Sequence, residues 1–271
     1  MTDSPPDPSD PPRVAPRGDV AAEAGPAEAW PAVAEGAEPC RASFKWWWFC
    51  QPACRLFLQL FCGLRIFGAE HLRTPNPVML VCNHQSYFDP MFAGMGGYRH
   101  PFYALARKTL WDTKWLGFML SRLNGIPVDQ DSSDLKAMRK CIEVLRGGAR
   151  LLIFAEGSRT ATGQMQPFAS GVSLILKRAK PTVIPVAIEG AYDIYPIHAR
   201  KPRFGPSAAV AYGKPIDRRV LAAMKPEDAL RHIEVEVERL RRQLAKTLNT
   251  AHGKERTDLL PIDEPDTPAR A

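Results

Sequence analysis

RLLIFAEGSRTATGQMQPFASGVSLILKRAKPTVIPVAIEG, residues 150–190, decides the fold class. The apolar run Leu151–Phe154 reads as a strand, SGVSLILKRAK as a helix and TVIPVAIEG as a second strand. The same alternation continues upstream. PVMLVCNH (77–84) is a strand running into a loop, followed by a helix around Pro90–Gly96. HPFYALA (100–106) is a strand, TLWDTKWLGFMLSRL (109–123) a helix and NGIPVD (124–129) a short strand. SSDLKAMRKCIEVLRGG (132–148) is a helix with Leu135, Met138, Ile142 and Leu145 on one face and Gly147-Gly148 as its stop. Downstream, SAAVAYGKPI (207–216) reads as a late strand, and KPEDALRHIEVEVERLRRQLAKTL (225–248) as a long, solvated packing helix. Strands alternating with helices in this way predict an α/β domain with a mixed, largely parallel sheet flanked by helices.

Composition sets the borders of that domain. Nine of the 26 prolines precede Cys40, in a stretch with almost no bulky aliphatic side chains. Such a segment buries too little apolar surface to offset its ordering entropy, so residues 1–39 read as a disordered acidic leader. It has no basic start and no apolar run, which excludes a secretory signal. The leader carries a net charge of −6 and the tail 250–271 a net −2, so of the chain's +7 the body 40–249 holds +15. A basic body suits anionic lipid, nucleic acid or phosphorylated substrates. No glycine–aromatic RNA motif or DNA-reading motif accompanies it, so nucleic acid is not expected. The six cysteines show no metal or secreted-domain spacing and read as reduced thiols filling small apolar spaces. The scattered histidines suggest no metal site.

Residues 44–68, FKWWWFCQPACRLFLQLFCGLRIFG, are the most apolar text in the chain. Lys45, Arg55 and Arg65 divide it into uncharged runs of nine residues, well short of the roughly 20 that a spanning helix needs. Pro52 suits the first turn of a helix, after which Leu56, Phe57, Leu60, Phe61 and Leu64 share one face, with Arg55 and Gln59 opposite. Trp46, Trp47 and Trp48 suit a headgroup zone. A helix lying in the bilayer interface fits this pattern. So does a core helix whose tryptophans cap the domain, because periodicity does not separate the two. The domain reading is therefore a leader (1–39), a membrane-associating helical segment (40–68), the α/β domain (69–249) and a disordered tail (250–271).

Chemistry gathers at strand ends, where open α/β sheets place their sites. NHQSYFDP sets His84 and Asp89 five residues apart, a gap that lets the carboxylate fold back and orient a general base. FAEGSRT puts Glu156, Gly157, Ser158 and Arg159 directly after LLIF, and a guanidinium there suits bidentate contact with phosphate. GIPVDQ (125–130) and VIPVAIEG (183–190) say little alone. Ser158 and Cys82 invite a covalent mechanism, but Ser158 lacks the G-x-S-x-G elbow and Cys82 sits on the strand itself.

In this order the four blocks resemble the motif set of the glycerolipid acyltransferases, the 1-acylglycerol-3-phosphate acyltransferase family. That family reads N-H-x-x-x-x-D, G-x-I-x-[IV]-D-R, F-P-E-G-T-R-S and V-[IV]-P-V, and the resemblance spans roughly residues 60–215. It implies that His84 is the base and Asp89 its partner. Arg159, with Glu156, Gly157 and Ser158 shaping its loop, would hold the acceptor's phosphate or head. Arg107 and Lys108 match a basic pair after the second strand, and Pro185 marks a block that lines the acyl or acceptor site. Ala155 and Ser158 depart mildly from the pattern. Gln130 stands where the family has Arg, which leaves room for an acceptor other than lysophosphatidate.

The implied activity is acyl transfer from acyl-CoA or acyl carrier protein to a lysophospholipid hydroxyl in phospholipid biosynthesis, giving phosphatidate. It would take place at the cytoplasmic face of a phospholipid membrane, with no metal and no cofactor beyond the acyl donor. The alternatives are acylation of another lyso-lipid, such as a lyso-aminolipid, and a non-catalytic lipid-surface binder.

Overall fold

Side chains along each inner strand alternate between two apolar layers, and that alternation builds the molecule. A computed structural model describes residues 44–97, 99–128 and 135–249. The leader 1–39, the tail 250–271 and Gln130 lie outside the described residues. The strands are β1 Arg65–Phe67, β2 Val78–Cys82, β3 Tyr103–Arg107, β4 Gly125–Val128, β5 Arg150–Phe154, β6 Thr182–Glu189 and β7 Ala209–Tyr212. They form one sheet in the order β1-β7-β6-β2-β5-β3-β4. From β6 to β4 all neighbours are parallel; β7 is antiparallel to β6, and β1 runs parallel to β7. The sheet is thus mixed and largely parallel, flanked by helices.

The helices are α1 Phe44–Cys62, α2 Asp89–Gly94, α3 Lys114–Arg122, α4 Leu135–Arg146, α5 Gly171–Ala179, α6 Ala191–Ile194, α7 Arg218–Ala222 and α8 Pro226–Leu248. On one sheet face Met79, Val81, Leu151, Ile153 and Val183 meet Cys141, Ile175 and Val237 from α4, α5 and α8. On the other face Val78, Leu80, Leu152, Ile184 and Val210 meet Leu58 of α1 and Phe92 of α2. Strands buried on both faces read as continuous apolar runs, as LLIF and VMLV do.

Four features differ from the sequence expectation. Helix α1 begins before Pro52 and passes through it. Tertiary contacts hold the earlier turns: Trp47 Nε1 donates to Gly97 O (3.3 Å), Gln51 Nε2 donates to Met95 O (3.1 Å), and the Trp47 ring meets Phe102 edge-on at 5.1 Å. Arg65–Phe67, the end of the apolar segment, forms an edge strand. Residues 109–123 divide into a 3₁₀ turn over Lys108–Trp111 and then α3. Helix α8 is not simply solvated, because Glu234, Glu238 and Arg241 are buried on its inner face.

Tyr212 ties β7 to the helix that carries Asp89. Its hydroxyl donates to Ala93 O (2.8 Å) and accepts from Gly96 N (3.0 Å) in a fully buried setting. Tyr212→Phe removes both bonds at once and takes partners from the buried Ala93 carbonyl and the half-buried Gly96 N–H. A loss of about 1–3 kcal/mol is expected, read by chemical denaturation.

Candidate active site

The carboxyl ends of β2, β5, β3 and β6 share one edge of the sheet, and the loops leaving that edge carry the candidate residues. Asn83 starts the first loop. Its Nδ2 donates to Ile188 O (2.9 Å) and its Oδ1 accepts from Ile188 N (2.8 Å), so the residue before His84 is fastened to β6. The chain then closes around Asp89. One carboxylate oxygen, Oδ2, accepts from Gln85 N (2.5 Å) and Ser86 N (2.7 Å) and faces His84 Nδ1 at 2.7 Å. Asp89 has no exposed surface, so these donors replace the water its charge has lost. A proton on Nδ1 completes a set of three donors on Oδ2 and leaves Nε2 as an acceptor, while the buried Oδ1 has no partner. The imidazole also stacks on Phe154, with ring centres 4.1 Å apart and planes 17° apart. Imidazole and carboxylate are therefore held in contact.

The Glu156–Arg159 turn is tied to the same loop. Glu156 Oε1 accepts from His84 N (2.6 Å), Oε2 accepts from Gln166 N (2.8 Å), and Thr160 N donates to His84 O (2.9 Å). Gly157 sits at φ +76°, a left-handed turn that a side chain would strain. Beyond it the Arg159 guanidinium lies 3.5 Å over the Tyr87 ring, and Tyr87 rests on Tyr195 with centroids 4.7 Å apart. An aromatic face under a cation fixes its plane and leaves its edge for an anion. Partial burial lowers the Arg159 pKa, and the like charge of Arg107 acts in the same direction.

The structure thus brings His84, Asp89, Glu156 and Arg159 into one cluster. Arg107 ends β3 within the electrostatic reach of Arg159, and Lys108 follows it into the 3₁₀ turn. Ser158 is exposed in its turn. Pro185 is buried within β6, in register with Val81, rather than at the carboxyl edge. Burial pushes the Cys82 thiol well above its ordinary range, and a thiol so held is a poor nucleophile.

Phe154 and Tyr87 contribute to the site, although sequence reasoning did not single them out. Both stand inside the two quoted blocks, so an aromatic beside a candidate base or cation was the available signal. Gln85, Glu189 and Arg241 were also missed. Glu189 closes the quoted block VIPVAIEG, whereas no local signal marks Arg241.

The family described as Acyltransferase matches residues 63–189, the span that holds the His84 loop and the Glu156–Arg159 turn. Over that span the chain is similar to the acyltransferases. It is 27% identical over 142 residues to the 1-acyl-sn-glycerol-3-phosphate acyltransferase of Bacillus subtilis, covering 52% of this chain and 70% of that protein. It is 25% identical over 166 residues to the Streptococcus pneumoniae enzyme of the same name, covering 60% of each. For the chloroplastic Brassica napus enzyme BAT2 the match is 26% over 134 residues, 48% of this chain and 38% of that one. Among solved structures, the 1-acyl-sn-glycerophosphate acyltransferase PlsC from Thermotoga maritima superposes with a TM-score of 0.64 over 78% of this chain and 81% of its own. At 21% identity that likeness shows the fold.

Glu156 gives a pH test of the site's construction. Burial pushes its carboxyl up to about 8, against the pull of the His84 and Gln166 N–H groups. An acid whose folded pKa is raised favours folding while protonated. Its contribution is lost as pH rises from the unfolded pKa toward the folded one. Glu156→Gln cannot titrate, so the stability advantage of the wild type over this variant should shrink between about pH 5 and pH 8. Urea denaturation of both proteins at several pH values measures this. A difference that does not change with pH would contradict it.

Proposed function

We propose that the protein is an O-acyltransferase that moves a fatty acyl group from acyl-CoA or acyl carrier protein to the hydroxyl of 1-acylglycerol-3-phosphate, giving phosphatidate. The observation that carries this reading is the 2.7 Å His84–Asp89 pair fastened through Glu156 to the turn that presents Arg159. The names of the relatives support the choice of acceptor.

The chemistry is direct transfer. The acceptor hydroxyl gives its proton to His84 Nε2 as its oxygen attacks the thioester carbonyl. Asp89 holds the imidazole in the correct tautomer and offsets the positive charge that develops on it. Backbone N–H groups at the carboxyl edge stabilise the tetrahedral oxyanion. Collapse of that intermediate expels the thiolate, which takes a proton from the imidazolium. Arg159 receives the acceptor's phosphate, with Arg107 and Lys108 adding positive charge beside it. The mechanism needs no metal, and no cofactor beyond the acyl donor. Gln130, where the family has Arg, supports a second reading in which the acceptor is a less acidic lyso-lipid.

Transfer of labelled palmitoyl from CoA to lysophosphatidate tests the proposal, beside a panel of other lyso-lipids and a carrier-protein donor. His84→Ala is expected to lower kcat by about 10²–10⁴-fold while remaining folded. Activity on another lyso-lipid alone would favour the second reading. Lipid binding without transfer to any acceptor would make the protein a non-catalytic binder.

The same reading puts the protein on the cytoplasmic face of a phospholipid membrane, the side where acyl-CoA and carrier proteins are found. Helix α1 supports it. Trp47, Gln51, Leu58 and Cys62 are buried, whereas Phe49, Leu56, Leu60 and Phe61 are exposed, Phe49 by 75% and Leu60 by 70%. Phe204, half exposed, meets Phe57 and Phe61 at 5.8 and 5.5 Å and extends the apolar face. Trp115 and Phe118 of α3 are exposed too, and Phe118 meets Trp46 at 5.6 Å. No described helix is long and apolar enough to cross a membrane. A two-faced helix of this kind suits the interfacial layer. Leu60→Asp combined with Phe61→Asp should release the protein from phosphatidylglycerol–phosphatidylethanolamine vesicles in a sedimentation assay without unfolding it. Unchanged partition would remove α1 as the anchor.

A further inference from the structure

Helix α8 carries a positive charge to the underside of the site. Arg241 is 1% exposed, Glu238 is fully buried and Glu189 is 1% exposed. Arg241 Nε and Nη2 donate to the two oxygens of Glu238 at 2.7 and 2.9 Å, and Nη1 donates to Glu189 Oε2 at 3.0 Å. Arg242 Nε also donates to Glu238, at 3.0 Å. Burial by itself would lower the Arg241 pKa, but the Glu238 and Glu189 carboxylates more than offset it, so the guanidinium stays charged.

The Glu189 oxygen held by Arg241 has a second donor. Gln85 Nε2 reaches it at 3.2 Å and reaches Gly163 O at the same distance. The backbone N–H of Gln85 is one of the donors that hold Asp89 Oδ2 against His84. A continuous path therefore runs from Arg241 through Glu189, Gln85 and Asp89 to His84. Each link is a hydrogen bond, and each side chain between the two ends is buried. The positive charge of Arg241 also acts on Glu156, opposing the rise in its pKa. Arg241 lies outside the span 63–189 that the family match covers.

We propose that Arg241 is a positioning residue for acyl transfer, acting through Glu189 and Gln85 to set the orientation of the His84–Asp89 loop. The proposal rests on the acyltransferase reading above. A buried ion pair contributes little net stability compared with apolar side chains of equal volume, so stability alone does not account for this one. An apolar residue could not fix the direction of the Glu189 carboxylate, and hence the direction in which Gln85 points its amide. A lysine could not do so either, because one ammonium cannot reproduce the three-bond fork across Glu238 and Glu189.

The test is a double-mutant cycle in the full chain with Arg241→Lys and Gln85→Met. Each single variant should lower kcat by about 10- to 100-fold with KM for the acceptor unchanged, as expected when the base is slightly misaligned. The double variant should be no slower than the slower single, because both cuts fall on one path. A second readout needs no acceptor: carbethoxylation of His84 by diethylpyrocarbonate, followed by peptide mass spectrometry, should speed up in both variants as the imidazole loosens. A lower Tm with kcat and the His84 rate unchanged would overturn the proposal, as would effects that multiply in the double variant. If Arg241→Lys does not fold, Glu189→Gln replaces it in the same cycle under the same criteria. A wild type inactive on every acceptor would sink the activity reading alone, and the His84 rate would then decide the positioning role.

Discussion

The constraint on which the rest of this structure depends is the burial of one carboxylate. Asp89 is cut off from water, so its charge persists only if the protein supplies donors. Two backbone N–H groups and the His84 ring converge on a single oxygen, and that convergence bends residues 84–89 into a closed loop at the end of β2. The surrounding elements keep the loop in place. Asn83 fixes its start to β6, Glu156 takes the His84 N–H from the β5 side, and Tyr212 braces the helix that Asp89 begins. Removing water from the carboxylate also strengthens its effect on the imidazole, because charges interact more strongly away from solvent.

Much of the architecture was legible because buried parallel strands leave a plain signature. LLIF, VMLV and TVIPVAIE are continuous apolar runs between amphipathic helices, and a short run covered on both faces has few other solutions. The His84–Asp89 pair and the Glu156–Arg159 turn were legible for a different reason: each is local, contained within a few residues of one loop. β1 was hidden because Arg65–Phe67 is only three residues long and follows a helix of the same apolar character. The early start of α1 was hidden because its first turns depend on Gly97, Met95 and Phe102, which no local rule connects to Trp47 and Gln51.

Helix α8 shows the limit most clearly. Charged residues every few positions read as a wet surface, and for Arg231 that reading is fair. Arg241 carries the same charge but faces inward. What distinguishes it is Glu189, at the end of a strand 52 residues away, together with Glu238 one turn before it. Pairing at that range is a property of the assembled fold, and single-sequence periodicity contains no record of it.

The strand order has a consequence for how the molecule is made. β2, which delivers His84, is flanked by β5 and β6 and not by its neighbours in sequence, and β1 pairs with β7. Contacts across such separations form slowly, because long loops must close before any pairing rewards them. Chains emerge from the ribosome amino-terminus first. The apolar α1 is therefore synthesised while β6 and α8 do not yet exist, and its exposed apolar face is complete long before the sheet edge that carries His84 is assembled. The exposed apolar helix is made before every strand of the sheet, and Arg241, beneath the His84 loop, after all of them.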